Sequence, residues 1–454
     1  METTHSDASA APPVKLRRVL TLWDLILYGI VLIMPIAPVP LFGVVQKLSD
    51  GHAVTTILLG MVAMGLTAFS YGRMAALYPA AGSAYTYVAR GLHAHLGFLA
   101  GWAMFLDYLL VPLICTIYGA LTMQRILPAV PYGVWVVFFA LTMTVVNLRG
   151  IKATARVNFG LMLIMCGVVL AFFFLAARYL LDAQGWHGLV SSQPFYNPRT
   201  FHLHAIGTAT ALAALTYGGF DGVTTLAEEV HNPRRNVLLA TVIVCLFTGV
   251  FGGLQVYLAQ RVRPDYHSFP QLETAFMDVS RDVGGAGLFD AMAAILILAN
   301  VGCGLAGQAG VSRLLYGMGR DRALPRWFAS LSPSRGTPDF NICLAGALAL
   351  AGAFFLDYER CGELINFGAF LAFMGVNAAV IRQFVFVGQP GHRRNLLGDA
   401  LAPGLGFLFC FAIWLSLATP AKILGGAWFV VGIAYDAWLT RGFRRAPVLP
   451  GFDE

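Results

Sequence analysis

The chain has 454 residues, of which 58% are hydrophobic and only 12% charged, and its mean hydropathy is +0.70. Soluble globular proteins carry about 25% charged residues, so this composition excludes an ordinary soluble protein and predicts one that crosses a membrane many times. The net charge of +7 does not predict a nucleic-acid partner, because the basic residues lie in short clusters between apolar segments. The seven cysteines include no Cys-x-x-Cys pair, so neither a disulfide framework nor a metal site is expected.

Twelve apolar segments are predicted as membrane spans, since a helix needs about 20 apolar residues to cross a bilayer. Residues 1–19 precede them and are predicted to form a disordered tail. No small-residue cleavage site stands out, so the first span is interpreted as a retained helix rather than a signal peptide. The predicted spans are 20–45, 53–77, 96–124, 131–149, 156–181, 204–228, 236–260, 287–319, 340–357, 362–387, 400–418 and 422–440.

The distribution of lysine and arginine predicts the orientation of these spans. If both termini are cytoplasmic, 21 of the 30 lysines and arginines lie on the cytoplasmic side, where such residues concentrate. The sequence therefore predicts a multi-pass protein of the plasma membrane, or of the inner membrane in a bacterium. Both tails, residues 1–19 and 441–454, are predicted to be cytoplasmic.

The first predicted span is interrupted by three prolines within six residues, Pro35, Pro38 and Pro40. Proline has no N–H and leaves the carbonyl four residues earlier without its helical partner. The carbonyls predicted to be unpaired are those of Val31, Met34 and Ile36. Unpaired carbonyl oxygens near the middle of a membrane would suit a cation or an ammonium group.

The sixth predicted span is interrupted by residues 217–222 (YGGFDG), which combine three glycines with a carboxylate. Glycine weakens a helix, and a buried aspartate costs several kcal/mol unless it is paired. Two broken helices five spans apart predict an inverted repeat, 20–181 and 204–387, followed by helices 11 and 12 at 398–440. The binding site is then expected between the broken helices. For each break alone, the alternative is a proline kink or a glycine-packed helix.

Asp221 has two compatible predicted roles. Its carboxylate could cap the second half of span six by accepting from the N–H of Val223 or Thr224. It could also pair with a substrate amine or carry a coupled proton. Asp107 in span three is predicted either to tie two helices together or to belong to a proton path.

The substrate site is predicted to draw on the two breaks, on one face of span three and on span eight, where Asn300 could instead bond to a neighbouring helix. The predicted substrate-binding residues are Ile33, Met34, Ile36, Ala37, Met104, Tyr108, Tyr217, Gly218, Gly219, Phe220, Asp221 and Asn300. Glu228, Glu229 and Arg313 are predicted to form salt bridges of a cytoplasmic gate, the alternative being a solvated loop. No metal-ligand, phosphate-binding or nucleophile motif is present, so neither a cofactor nor an enzymatic activity is expected.

Four segments resemble the amino acid–polyamine–organocation permeases, and the last three of them are especially similar to bacterial putrescine importers. They are residues 78–87 (YPAAGSAYTY), 219–225 (GFDGVTT) with Glu228 and Glu229, 312–321 (SRLLYGMGRD) and 365–369 (INFGA). The resemblance implies an all-α membrane fold with twelve transmembrane helices, a five-plus-five inverted repeat and discontinuous helices 1 and 6. It also implies a substrate site between spans 1, 3, 6, 8 and possibly 10, and proton-linked uptake or exchange. Related polyamine and arginine exchangers carry an acid where Asp221 falls.

Three departures from that family bear on the substrate and the coupling ion. Amino-acid members have a glycine-rich first break, whereas this chain has no glycine between Gly29 and Gly43. Putrescine importers carry an aspartate where this chain has Pro40. Some proton-coupled members place a lysine in span five where Met165 falls here, which leaves the coupling ion open.

Taken with this resemblance, the sequence predicts proton-coupled uptake of a small amine such as putrescine by alternating access. An amino acid permease or an amino acid/amine exchanger is the first alternative, and a non-pumping amine-binding channel or receptor is the second. The expected partners are the amine or amino acid substrate, the proton and the lipid bilayer, with no nucleic acid. Monomer and homodimer both remain open.

Overall fold

A computed structural model describes residues 19–78, 83–149, 155–227, 229–320, 324–333, 335–390, 392–445 and 447. Within these residues the chain is helical, with one isolated bridge between Leu20 and Val230. The α-helices are α1 (Leu22–Ile33), α2 (Phe42–Leu48), α3 (Ala53–Leu77), α4 (Ser83–Gly91), α5 (Ala94–Ile126), α6 (Tyr132–Leu148), α7 (Ala155–Gln184), α8 (Trp186–Leu189), α9 (Leu203–Ala213), α10 (Pro233–Val262), α11 (Ala275–Arg320), α12 (Asp339–Gly352), α13 (Tyr358–Ile381), α14 (Ala402–Leu415) and α15 (Thr419–Leu439). The predicted tail 1–19 lies outside the described part of the chain except for Val19.

Seven helical segments in the described residues are long and apolar enough to cross a membrane. They contain α3, α5, α10, α11, α13, α14 and most of α7. The long α11 is kinked at Gly285, whose φ of 63° is not helical. Three shorter apolar helices are α1, α6 and α12. Each of the twelve predicted spans contains helix, so the multi-pass all-helical class holds, while the count of twelve crossings and the inverted repeat stay predictions.

The helix α5 lies against both α11 and α13, and small residues let these helices approach closely. A Cβ built on Gly307 of α11 would stand 2.6 Å from Cγ1 of Val111. One built on Gly368 of α13 would collide with the carbonyl oxygen of Ala103. Larger residues at these glycines would push the helices apart, so the glycines determine how α5 is placed.

The first break begins where α1 ends at Ile33. Met34 adopts φ 66°, and its N–H donates to the Ile30 carbonyl at 3.0 Å. The chain then makes tight turns until α2 begins at Phe42. Proline cannot continue the helical hydrogen-bond pattern, so the helix stops at Ile33, two residues before Pro35, in accordance with the sequence.

The prediction that the Met34 and Ile36 carbonyls are unpaired is wrong. The Met34 carbonyl accepts from the Ala37 N–H at 3.0 Å, and the Ile36 carbonyl accepts from the Val39 N–H at 3.0 Å. The reason is local, because the donors are the non-proline residues between the prolines, and each donates to the carbonyl three residues earlier in a four-residue turn. Between them, the Pro35 carbonyl accepts from the Gln255 side chain of α10 at 2.8 Å.

The second break follows α9 and consists of two 3₁₀ segments, Ala214–Tyr217 and Phe220–Leu226. Gly219 separates them at φ 104°, a conformation that residues with a side chain rarely adopt. The two breaks are adjacent, since a Cβ on Gly219 would stand 3.3 Å from the Leu32 carbonyl oxygen. The ends of two helices thus meet inside the bundle, as the sequence pattern predicted.

Candidate functional site

A cavity of about 370 Å³ lies between the two breaks and the helices α5, α11 and α13. Its walls are formed by the end of α1 and the turn after it, by the middle of α5 and α11, and by one face of α13. Small-molecule sites are typically clefts of about 300–1,000 Å³. The cavity is therefore large enough for a small organic solute.

Eleven of the twelve residues predicted to bind substrate line this cavity. They are Ile33, Met34, Ile36, Ala37, Met104, Tyr108, Tyr217, Gly218, Gly219, Asp221 and Asn300. The structure brings them together because both breaks and one face of α5 point to the same space. Their role in binding stays a prediction.

Phe220 is the exception, and its predicted place in the substrate site does not match the structure. Its side chain is fully buried and packs against Tyr71 and Phe373, with 5.3 Å between ring centroids in each pair. Phe373 itself lines the cavity, so Phe220 lies one layer behind the wall. After Gly219, the 3₁₀ turn directs Phe220 into the core and leaves Asp221 at the cavity.

Asp221 is 8% exposed, and the partner described for its carboxylate is the Ser83 hydroxyl, which donates over 3.5 Å. The predicted capping role is wrong, because the hydrogen bonds of the described residues include none from the Val223 or Thr224 N–H to this carboxylate, and the N-cap of the segment Phe220–Leu226 is Gly219. Asp221 is instead the second residue of that segment. A helix start is the positive end of the helix dipole, which favours a negative side chain there.

Asp107 lies on α5 and lines the same cavity. The hydrogen bonds and ion pairs of the described residues include none for its side chain, so the predicted tie to a neighbouring helix is absent there. Asp107 and Asp221 therefore reach the same space from α5 and from the second break. The described residues that line the cavity include these two acids and no lysine, arginine or histidine.

The polar side chains around the two acids are held in different ways. The Tyr217 hydroxyl donates to the Ile57 carbonyl of α3 at 2.7 Å, which fixes the ring as part of the wall. Tyr108 is 43% exposed and lies in the cavity beside Asp107. Asn300 donates to the Leu296 carbonyl one turn earlier at 2.9 Å, so its amide oxygen is available to the cavity.

The cavity wall also contains residues that sequence reasoning did not select. Asn366 of α13 lines it and donates to the Ala211 carbonyl at 2.5 Å. It belongs to the segment 365–369, so the family resemblance offered a signal for it. Met64 of α3 and the pair Cys115 and Cys303 carried no such signal, because apolar side chains in membrane helices mostly pack against neighbours.

The predicted gate is only partly within the described residues. Glu228 lies outside them. Glu229 and Arg313 form no ion pair in the described part of the chain, and Arg313 is exposed on α11. The observed link is made by backbone, since the Glu229 carbonyl accepts from the N–H groups of Val19 and Leu20 at 2.8 and 3.0 Å. This ties the start of α1 to the end of the second break.

Comparison with known proteins agrees with this architecture. The sequence profile described as "Amino acid permease" matches residues 22–424. The low-affinity putrescine importer PlaP of Escherichia coli strain K12 is 31% identical over 97% of this chain and 98% of its own length. The branched-chain amino acid permease BcaP of Lactococcus lactis is 25% identical over 94% of this chain and 95% of its own length. The methylthioribose transporter of Bacillus subtilis is 28% identical over 81% of each chain.

These relatives are transporters rather than enzymes, and the matches extend over nearly the whole chain. The long apolar helices, the two adjacent breaks and the acidic cavity between them are consistent with the same function. The chain is a multi-pass membrane transporter and belongs to the amino acid permease family of the amino acid–polyamine–organocation superfamily.

Proposed function

We propose that this transporter imports a small cationic amine, with putrescine-like diamines first, by proton-coupled alternating access. The observation that carries the proposal is the charge of the cavity, which contains two carboxylates and no basic side chain among its described lining residues. A buried carboxylate without a counter-charge is costly, so an ammonium group or a proton is the natural complement of each acid. The putrescine importer PlaP, a relative of this chain, has a printed function that fits this chemistry.

In the proposed complex, one ammonium group pairs with Asp221 beside the second break. Its remaining N–H groups donate to the second lone pairs of the carbonyls in the first break, since each carbonyl oxygen can accept two hydrogen bonds. Tyr108 contributes its ring face to the cation. The other end of a diamine pairs with Asp107, which takes the place of the anchor that is missing at Pro40.

A proton could replace the second ammonium group when the substrate has a single charge. Asp107 would then be protonated while Asp221 binds the amine, and the cavity would again be neutral. The singly charged amine and one proton then cross together, and this cotransport is how the proposal links uptake to the proton gradient. A diamine with one uncharged end would be carried in the same way, with that end on protonated Asp107. The relative movement of the broken helices would open the cavity to each side of the membrane in turn.

The first break supplies few donors for the carboxylate of an α-amino acid. In residues 35–41, the three prolines have no N–H, and the N–H groups of Ala37, Val39 and Leu41 are used in turns. Only the N–H of Ile36 is left in this described segment. An amino acid permease or exchanger remains the second candidate, and the relative BcaP, whose printed name is branched-chain amino acid permease, is the observation in its favour.

The test is uptake of radiolabelled putrescine by the purified protein in liposomes with an inward proton gradient. We expect accumulation that collapses when a protonophore is added. Competition with monoamines, longer polyamines and amino acids ranks the substrates. Entry without accumulation would indicate a channel, and uptake of an amino acid in place of putrescine would favour the second candidate.

Asp221→Asn is the first variant to measure. We expect its affinity for putrescine to fall about 10- to 100-fold, because a hydrogen bond to a charged group contributes about 1.5–3 kcal/mol. Asp107→Asn should weaken binding of a diamine more than binding of butylamine, which has one charge. Asp290→Asn is the matched control, since Asp290 is an exposed acid on α11 away from the cavity. Unchanged putrescine affinity in Asp221→Asn would refute the binding role.

A further inference from the structure

Two of the seven cysteines face the same cavity from different helices. Cys115 lies on α5 and Cys303 on α11, and both line the cavity. The helices are close at this point, since a Cβ on Gly304 would stand 3.2 Å from the Cβ of Cys115. Neither thiol has a part in the proposed transport cycle.

Cys303 directly precedes Gly304, which packs against Cys115, so the two thiols lie on facing stretches of α5 and α11 beside one cavity. Cys115 is 5% exposed, whereas Cys303 is partly exposed and therefore reachable from the cavity. Other buried cysteines are engaged elsewhere. Cys410 interacts with the Thr67 hydroxyl at 3.4 Å, and Cys361 with the Leu110 carbonyl at 3.9 Å. The pair is thus a dithiol open to a solute that enters the cavity.

We propose that Cys115 and Cys303 form a dithiol site that binds a trivalent organoarsenical, and that the bound group blocks the transport cavity. Two neighbouring thiols are needed for such a ligand, because trivalent arsenic with one carbon substituent forms two As–S bonds. When phenylarsine oxide reacts, both S–H bonds and the bonding between arsenic and oxygen are broken, and two As–S bonds form. The two thiol protons and the oxygen leave together as one water molecule. No electron is transferred, so no oxidant or reductant is required.

The surroundings favour an arsenical over a divalent metal ion. Structural sites for soft metal ions usually use four ligands, and no group of three histidine, cysteine, aspartate or glutamate side chains in the described residues could hold one. The aryl group of an arsenical, in contrast, needs only an apolar wall. Val111, Leu296 and Ala299 supply such a wall in the same cavity.

The test is the intact mass of the full-length protein purified in detergent and incubated with phenylarsine oxide. We expect one phenylarsenic group per chain, lost in Cys115→Ser and in Cys303→Ser and retained in Cys343→Ser and Cys361→Ser. Cys303→Ala provides a second replacement if the serine variant does not fold. The dithiol 2,3-dimercaptopropanol should remove the group, whereas the monothiol 2-mercaptoethanol should not.

Retention of the arsenical in either single variant of the pair, or removal by the monothiol, would overturn the proposal. So would the absence of an adduct on the unmodified sequence. Because the mass measurement of the adduct needs no transport substrate, its result is independent of the proposed transport function. In liposomes that show uptake, the arsenical should abolish uptake by the wild type and by Cys343→Ser to the same extent. Uptake by Cys303→Ser should resist the arsenical.

Discussion

Met34 has the most unusual backbone of the residues that line the cavity. Its φ of 66° is in a region that side chains other than glycine rarely occupy, and it lies between the end of α1 and Pro35. Strain of this kind costs about 1–3 kcal/mol and persists where neighbouring structure enforces it. Here Pro35 stops the helix, and the contact of the two breaks leaves the chain little freedom.

We expect Met34→Gly to raise the melting temperature of the purified protein, because glycine adopts a positive φ without the steric cost. The gain should be about 1 kcal/mol, since the greater freedom of glycine in the unfolded chain offsets part of the relief. Met123→Gly is the control, as Met123 lies within α5 and glycine there should cost about 1 kcal/mol. A lower melting temperature in Met34→Gly would show that the side-chain contacts outweigh the strain.

At the second break, residue types predict some members of the candidate site and not others. Asp221 could be predicted because a carboxylate beside three glycines is rare in an apolar span. Phe220 could not be separated from its neighbour Tyr217 by type, since both are aromatic and both flank the break. Only the direction of the chain after Gly219 places one ring at the cavity and the other behind it.

At the scale of elements, the second break depends on Gly219. Its positive φ allows the chain to leave one 3₁₀ segment and enter the next, and its lack of a side chain admits the Leu32 carbonyl. The break therefore has both a conformational and a packing requirement for glycine. The sequence predicts the first requirement, and the structure adds the second.

Gly219→Ala should lower stability by about 1–3 kcal/mol and strongly reduce uptake, because alanine is strained at this φ and its Cβ would lie 3.3 Å from the Leu32 carbonyl oxygen. Thermal melting in detergent and uptake in liposomes measure the two effects. Gly302→Ala is the matched control, since a Cβ there meets nothing within 4 Å inside helix α11. Equal behaviour of the two variants would contradict the importance of the break.

At the first break, the local sequence predicts where the helix ends but not which groups bond to the free carbonyls. The three prolines correctly predict that α1 ends near Ile33, because a missing N–H is a local property. They do not predict the partners of the carbonyls, which depend on how the intervening residues turn. The carbonyl of Pro35 is satisfied by Gln255, a residue 220 positions away in the chain.

At the scale of the whole molecule, the orientation and number of membrane crossings follow from the predicted spans and the positive residues. We expect a fluorescent protein fused after residue 454 to fluoresce in the cytoplasm. Alkaline phosphatase inserted after residue 192, between spans five and six, should be active outside. The same enzyme inserted after residue 330, between spans eight and nine, should be inactive. The opposite pattern would reverse the predicted topology.

Sequence by itself determined the membrane class, the positions of the two helix breaks and the acid beside the second break. These properties are local, because hydropathy, the missing N–H of proline and the positive φ of glycine act within a few residues. Tertiary structure decided that Asp107 has no hydrogen-bond or ion-pair partner among the described residues, that Phe220 faces the core and that Cys115 and Cys303 line one cavity. Each of these depends on how a helix is rotated against helices distant in the chain, and close contacts at glycines on α11 and α13 set that rotation.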